Sequence, residues 1–263
     1  MTDGPGHQLA HMRALAPLVQ NITNYVAMNA MANVLLAIGA SPAMVHARAE
    51  AAEFAGLAQA LSVNIGTADP EWGAAMIEAA QAMGAQGKPW VLDPVAVGAT
   101  AFRCDLGVRL LDCAPTVIRG NASEILALAR ADAAGRGVDA DDPVAAAEAA
   151  ACVLARRCGA VVAVTGPVDF VSDGTRAVRI ANGHPLMPRV TALGCSLTGV
   201  VAAFCVEAEP FAATVAALAA FGVAGEQAAA AATGPGSLAV ALLDSLHALT
   251  PLALDRQARI APA

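Results

Sequence analysis

The chain has 263 residues, with 15 Lys+Arg against 22 Asp+Glu and a net charge of −7. That acidic balance, without any basic cluster, argues against a general nucleic-acid binder, and 3% aromatic residues leave little platform for stacked bases. With 57% apolar and 14% charged residues the chain can bury one large core, and its surplus of apolar surface favours a homo-oligomer.

The first residues, MTDGPGHQLA, lack a basic segment followed by an apolar core, so no signal peptide is expected. Tyr25–Ile38 is apolar at helical spacing and ends at Gly39, a C-cap residue. A strand is expected over Ser41–His46, a helix over Glu50–Ala60 and a strand over Leu61–Ile65. Asp69 is placed to cap a helix over Pro70–Gln86, followed by a buried strand Trp90–Leu92 that ends at Asp93. Next come helix Phe102–Cys113, strand Thr116–Ile118 and a helix beginning at Ser123–Ala129. Asp132–Asp142 reads as a charged surface loop, Pro143–Arg157 as a helix and Ala160–Val164 as a strand. Asp173-Gly174 joins Asp169–Ser172 to Arg176–Ile180 as an edge hairpin. Three helices follow, Cys195–Cys205, Ala213–Ala232 and Ser237–Ala248.

Strands that alternate with helices predict an α/β fold, a mostly parallel central sheet with helices on both faces, formed by one domain over 1–263. Val190–Val206 and Pro210–Gly225 are free of charge, but fall short of the ~20 apolar residues a spanning helix needs, so no membrane partner is expected. The six cysteines (104, 113, 152, 158, 195 and 205) lack metal-type spacing. Five read as small buried hydrophobes in a reducing, cytoplasmic compartment.

Polar residues collect where the strands end, which is where ligands sit in such sheets. Asp93, after an apolar strand, can hold Mg²⁺ directly or through water, or can be a turn aspartate. Arg119 suits a bidentate phosphate contact or an ion pair with a nearby carboxylate. Asn121 and Glu124 have the spacing of a capping box. Thr165-Gly166 can offer a hydroxyl and an amide to a phosphate, or be a plain strand exit. Met44 reads as core or as a ligand contact. His46 and His184 read as surface or satisfied histidines.

The most telling stretch is VTALGCSLTGVVAAF, where Gly194 leads into an apolar helix. A helix start exposes N–H groups without internal partners and carries a positive dipole end, so it can hold a phosphate and lower the pKa of a thiol such as Cys195. An anion hole beside a candidate base points to phosphoryl transfer. No P-loop, nucleophile-elbow or HExxH motif is present.

The stretches NITNYVAMNAMANVLLAIGASPAM, NIGT, PWVLDPVAVGAT, IRGNASEI, VAVTG and LGCSLTG occur in the order seen in hydroxyethylthiazole kinases. The chain resembles that family over roughly residues 15 to 248. The resemblance implies a ribokinase-like fold and transfer of the ATP γ-phosphoryl to the alcohol of 4-methyl-5-(2-hydroxyethyl)thiazole in thiamine biosynthesis. It also implies that Arg119, Thr165 and Gly194 contact ATP and that Asp93 and Glu124 organise Mg²⁺. Asn24, Met44, Gly66 and Ala192 would lie on the substrate side, Cys195 where most ribokinase-like relatives carry an aspartate base. Many members of the family read Gly-Thr-Gly-Cys where this chain reads Ala192-Leu193-Gly194-Cys195. A homotrimer is implied in the same way. The rival readings are a kinase for hydroxymethylpyrimidine or pyridoxal, an ATP-dependent dehydratase of a hydrated nicotinamide cofactor, and a non-catalytic thiazole-binding oligomer.

Overall fold

Successive residues of the central strands face opposite apolar layers. Val91 and Val117 belong to one cluster, Leu92 and Ile118 to the other, as expected of strands covered on both sides. The computed structural model describes residues 4–132 and 143–263. The described strands are β1 (Leu18–Ile22), β2 (Ser41–Ala43), β3 (Ala60–Asn64), β4 (Trp90–Asp93), β5 (Val117–Asn121), β6 (Val161–Thr165), β7 (Asp169–Ser172), β8 (Ala177–Ile180) and β9 (Ile260–Pro262). They form one sheet in the order β2-β1-β3-β4-β5-β6-β7-β8-β9. The pairs from β2 to β6 are parallel, and β7, β8 and β9 add an antiparallel edge.

The helices are α1 (Pro5–Leu15), α2 (Met28–Ile38), α3 (Arg48–Leu57), α4 (Pro70–Ala85), α5 (Ala101–Leu111), α6 (Ala122–Asp132), α7 (Pro143–Cys158), α8 (Leu193–Phe204), α9 (Pro210–Ala231), α10 (Pro235–Ala248) and α11 (Pro251–Gln257). Helices α1, α2 and α8–α11 pack on one face, α3–α7 on the other. The alternation expected from sequence is therefore present. The loop expected over Asp132–Asp142 lies, apart from Asp132, outside the described residues.

Several expectations need correction. The first expected helix, at Tyr25, starts instead at Met28, because residues 25–27 form a turn. The sequence pattern signals none of α1, β1, α11 and β9. The charge-free stretch taken as 210–225 extends to a 22-residue helix, α9, which has the length and apolarity to cross a bilayer. In the fold, 83% of its apolar window is buried, so it serves as a core helix. Of the six free cysteines only Cys205 is fully buried, and the other five are half-buried.

Helix α8 lies across β1, β3 and β4. Gly199 permits that approach, since a Cβ there would stand 3.1 Å from Asn21 Oδ1 on β1. The start of α8 is thereby brought to the carboxyl ends of the strands.

Candidate active site

Parallel register brings the polar strand ends together. Asn64 on β3 lies opposite Asp93 on β4, and Asn121 on β5 lies opposite Thr165 on β6. Asp93 is fully buried. Its Oδ2 accepts from Asn64 Nδ2 at 2.7 Å and from Thr198 Oγ1 at 2.8 Å, and faces Arg119 Nη1 at 3.6 Å. Oδ1 has no hydrogen-bond partner. Burial pushes this carboxyl up to about 6 against the pull of Arg119, and the nearby Glu124 charge adds to the rise.

Arg119 is almost enclosed. Its Nη2 donates to Thr165 Oγ1 at 2.7 Å, while Nε lacks a partner. Thr165 Oγ1 also donates to Gly120 O at 3.3 Å. The Gly166 amide was a candidate phosphate donor, but it donates to Asp169 Oδ1 at 2.9 Å. Burial raises Asp169 to about 6 despite that bond and the charge of Arg119. Glu124 closes the expected capping box. Asn121 N–H reaches Glu124 Oε2 at 2.9 Å, and Glu124 N–H reaches Asn121 Oδ1 at 2.9 Å. Glu124 Oε1 accepts from Ala96 N at 3.1 Å, so this carboxylate also braces the loop after Asp93.

The residues suit a hard cation. Asp93 offers an orphaned carboxylate oxygen, and Glu124 adds a second negative charge close by. Among the described residues, no group of three or more His, Cys, Asp and Glu side chains is arranged to hold a metal. One or two carboxylates completed by phosphate oxygens and water are how Mg²⁺ is usually held.

The helix start differs from expectation. Helix α8 begins at Leu193, so Cys195 is its third residue. Ala192 caps it in the left-handed region, at φ 66° and ψ −2°. Ser196 N already donates to Ala192 O at 2.8 Å. The amides without an acceptor inside the helix are therefore those of Leu193, Gly194 and Cys195. Gly194 packs against Arg119, where a Cβ would stand 3.2 Å from Nη1. The Cys195 thiol is pushed up, not down. Burial and the Asp93 charge outweigh the hydrogen bond from Asn24 and the charge of Arg119.

Among the residues expected on the substrate side, Asn24 Nδ2 donates to Asn64 Oδ1 at 2.9 Å and to Cys195 Sγ at 3.2 Å. Gly66 N also donates to Asn64 Oδ1, at 2.9 Å, and a Cβ at Gly66 would stand 3.0 Å from Asn24. Met44, just past β2, is half-buried against the apolar layer that includes α2 and α8. Tyr25 stacks on Trp72 with ring centroids 4.5 Å apart, and His46 meets Trp72 edge-on at 4.8 Å. His184 Nδ1 accepts from Leu186 N at 3.2 Å, a satisfied histidine.

The sequence alone assigns no role to Asn64, Thr198 or Asp169. Thr198 carried a usable signal, since it lies three residues after Cys195 on the same helix face.

The sequence model of the Hydroxyethylthiazole kinase family matches residues 9–251. A hydroxyethylthiazole kinase of Cereibacter sphaeroides is 68% identical over 258 residues, 98% of each chain. One from Rhizobium leguminosarum bv. trifolii is 62% identical over 261 residues, again 98% of each. The solved structure of a hydroxyethylthiazole kinase protein from Pyrococcus horikoshii superposes with TM-score 0.92 at 40% identity, covering 98% of both chains. A Staphylococcus aureus pyridoxal kinase shares the fold alone, at TM-score 0.60 and 14% identity over 80% of this chain and 88% of that one. The sheet is thus ribokinase-like, and with this identity over nearly its full length the chain is a member of the hydroxyethylthiazole kinase family.

Proposed function

We propose that this chain transfers the γ-phosphoryl group of ATP to the alcohol of 4-methyl-5-(2-hydroxyethyl)thiazole, in thiamine biosynthesis or salvage. One observation carries the reading: Asn24 and Asn64 form a hydrogen-bonded chain from the Cys195 thiol to Asp93, which is ion-paired with Arg119 at 3.6 Å. The chain links an alcohol end to a phosphate end across the start of α8.

ATP binds along Arg119, Thr165 and Gly194, with its transferring phosphate over the amides of 193–195. The thiazole binds beside Asn24, Met44, Gly66 and Ala192. Asp93 and Glu124 hold Mg²⁺, which offsets charge on the phosphate oxygens when bound. Phosphoryl transfer depends mostly on position and charge stabilisation. Cys195 lies next to the reacting alcohol, and a thiol raised above its ordinary value stays protonated at neutral pH, so little thiolate is available to take the alcohol proton. Its removal should then cost about 10²-fold in kcat, the low end for a general base. Cys195→Asp should retain activity, because a carboxylate accepts the alcohol proton more readily.

We further infer one kinase domain over 1–263, a cytoplasmic location and a homotrimer. The exposed apolar side chains Tyr25, Val26 and Leu36 support an assembly. A solution mass three times 26.2 kDa tests the trimer.

The deciding assay incubates protein and MgATP with the thiazole alcohol, hydroxymethylpyrimidine, pyridoxal or a hydrated nicotinamide cofactor in separate tubes, and reads products by mass spectrometry. A phosphorylated thiazole alone is the expected result. Another phosphorylated alcohol overturns the substrate. Phosphate release from a hydrated nicotinamide cofactor, without an organic phosphate, points to the dehydratase.

A further inference from the structure

Arg103 is the third residue of α5 and half-buried. No carboxylate pairs with it among the described residues. Its guanidinium is instead spent on three backbone carbonyls. Nη1 donates to Ile65 O and to Val95 O, each at 2.8 Å, and Nη2 donates to Gly66 O. Ile65 and Gly66 follow β3, and Val95 lies two residues beyond Asp93 at the end of β4. One planar cation therefore ties the loop that carries Gly66 to the loop that leaves Asp93. The loops touch otherwise through a longer bond, Ile65 N to Asp93 O at 3.3 Å.

Both tied loops lead into the hydrogen-bonded chain of the site. Asn64, immediately before Ile65, joins Asn24 to Asp93. Gly66 has little room to move, because a Cβ there would already stand 2.9 Å from Asn64 Oδ1 and 3.0 Å from Asn24 Nδ2. Gly66 N donates to the same Asn64 Oδ1 that receives the Asn24 amide, so a shift of the Gly66 turn is passed to Asn24 through Asn64. A shift at Val95 bears on the Asp93 backbone, whose carbonyl accepts from Val95 N at 2.9 Å, while Asn64 and Thr198 still hold the carboxylate. The guanidinium fork spans both loops because its donors diverge in a plane, whereas a lysine ammonium is a compact point charge.

We propose that Arg103 is a positioning residue for phosphoryl transfer, holding the alcohol-side turn at Gly66 in register with the phosphate-side carboxylate Asp93. The assignment of those two sides rests on the functional reading above. Misplacement of a bound reactant by an ångström is enough to cost turnover while the fold persists.

The test compares the whole wild-type chain with Arg103→Lys and Arg103→Gly, each checked for folding by thermal melting. With MgATP and hydroxyethylthiazole, Arg103→Lys should lower kcat/KM for the alcohol by about tenfold or more, while KM for ATP stays within about threefold. Millimolar guanidinium should restore part of the activity of Arg103→Gly. Hydrogen exchange, read without any substrate, should speed up at residues 65–67 and 93–97 of Arg103→Lys more than elsewhere. Wild-type kinetics in a folded Arg103→Lys would overturn the proposal, as would equal losses in both KM values with unchanged exchange at the two loops. Should the wild type leave the thiazole alcohol unphosphorylated, the functional reading falls, and the exchange experiment alone decides whether Arg103 holds the loops together. If Arg103→Gly does not fold, Arg103→Lys decides.

Discussion

Asn24 donates its side-chain N–H to Cys195 Sγ across 3.2 Å. The amide cannot turn away. Its other hydrogen is taken by Asn64 Oδ1 at 2.9 Å, and its oxygen accepts from Ala27 N at 3.0 Å. Both donors are lost in Asn24→Asp, which sets a carboxylate against a sulfur and an amide oxygen. We expect kcat/KM for the alcohol to fall about 10- to 100-fold, with KM for ATP little changed. Steady-state kinetics in both substrates checks this. Unchanged alcohol kinetics would mean that the amide positions nothing the reaction needs.

Asp169 gives the stability of the fold a pH dependence. Its folded value of about 6 stands above the ordinary 3.8, because burial disfavours the charge. Between those values the folded chain holds the proton more tightly than the unfolded chain, so stability is lost as pH rises through the window. Asp169→Asn keeps an oxygen for the Gly166 amide but cannot ionise. From pH 4 to pH 7 the wild type should lose about 1–3 kcal/mol more stability than the variant. Urea melts at several pH values measure it, and parallel curves would refute it.

Ala192 occupies the left-handed region at φ 66°, ahead of α8. A non-glycine residue there costs roughly 1–2 kcal/mol, and glycine gives back about 0.5–1 kcal/mol through its freer unfolded chain. Ala192→Gly should therefore stabilise the protein by roughly 0.5 kcal/mol. It should also leave the amides of 193–195 in place, so activity should persist. A chemical denaturation curve gives the sign directly. Destabilisation would mean that the Ala192 methyl makes a contact worth more than the strain.

Much of this was legible in the sequence, for a physical reason. A parallel strand covered on both faces must be apolar along its length, so the polar residue that ends the run marks the ligand side of the sheet. Asp93, Arg119 and Thr165 stood out in that way. β1 did not, because Gln20 and Asn21 break its apolar pattern. They are buried all the same, with Gln20 bonded to Val45 O and Ala51 O and Asn21 accepting from Ser62 Oγ. The α8 boundary was misplaced because an alanine takes a backbone conformation that glycine usually advertises. The fate of the Gly166 amide was hidden in Asp169, whose carboxylate turns back across the start of the antiparallel edge. The raised Cys195 thiol was out of reach too, since it depends on burial and on Asp93, residues distant in sequence.

The aromatic contacts have an optical consequence. The chain has two tryptophans. Trp90 is sealed in the sheet, its indole N–H on Cys113 O at 3.3 Å. Trp72 has Tyr25 on its face, and Tyr25 is the chain neighbour of Asn24. Indole fluorescence responds to what packs on the ring. A Trp90→Phe chain thus keeps a single indole close to Asn24, which is proposed to meet the alcohol, and its emission should shift when the thiazole alcohol is added without ATP.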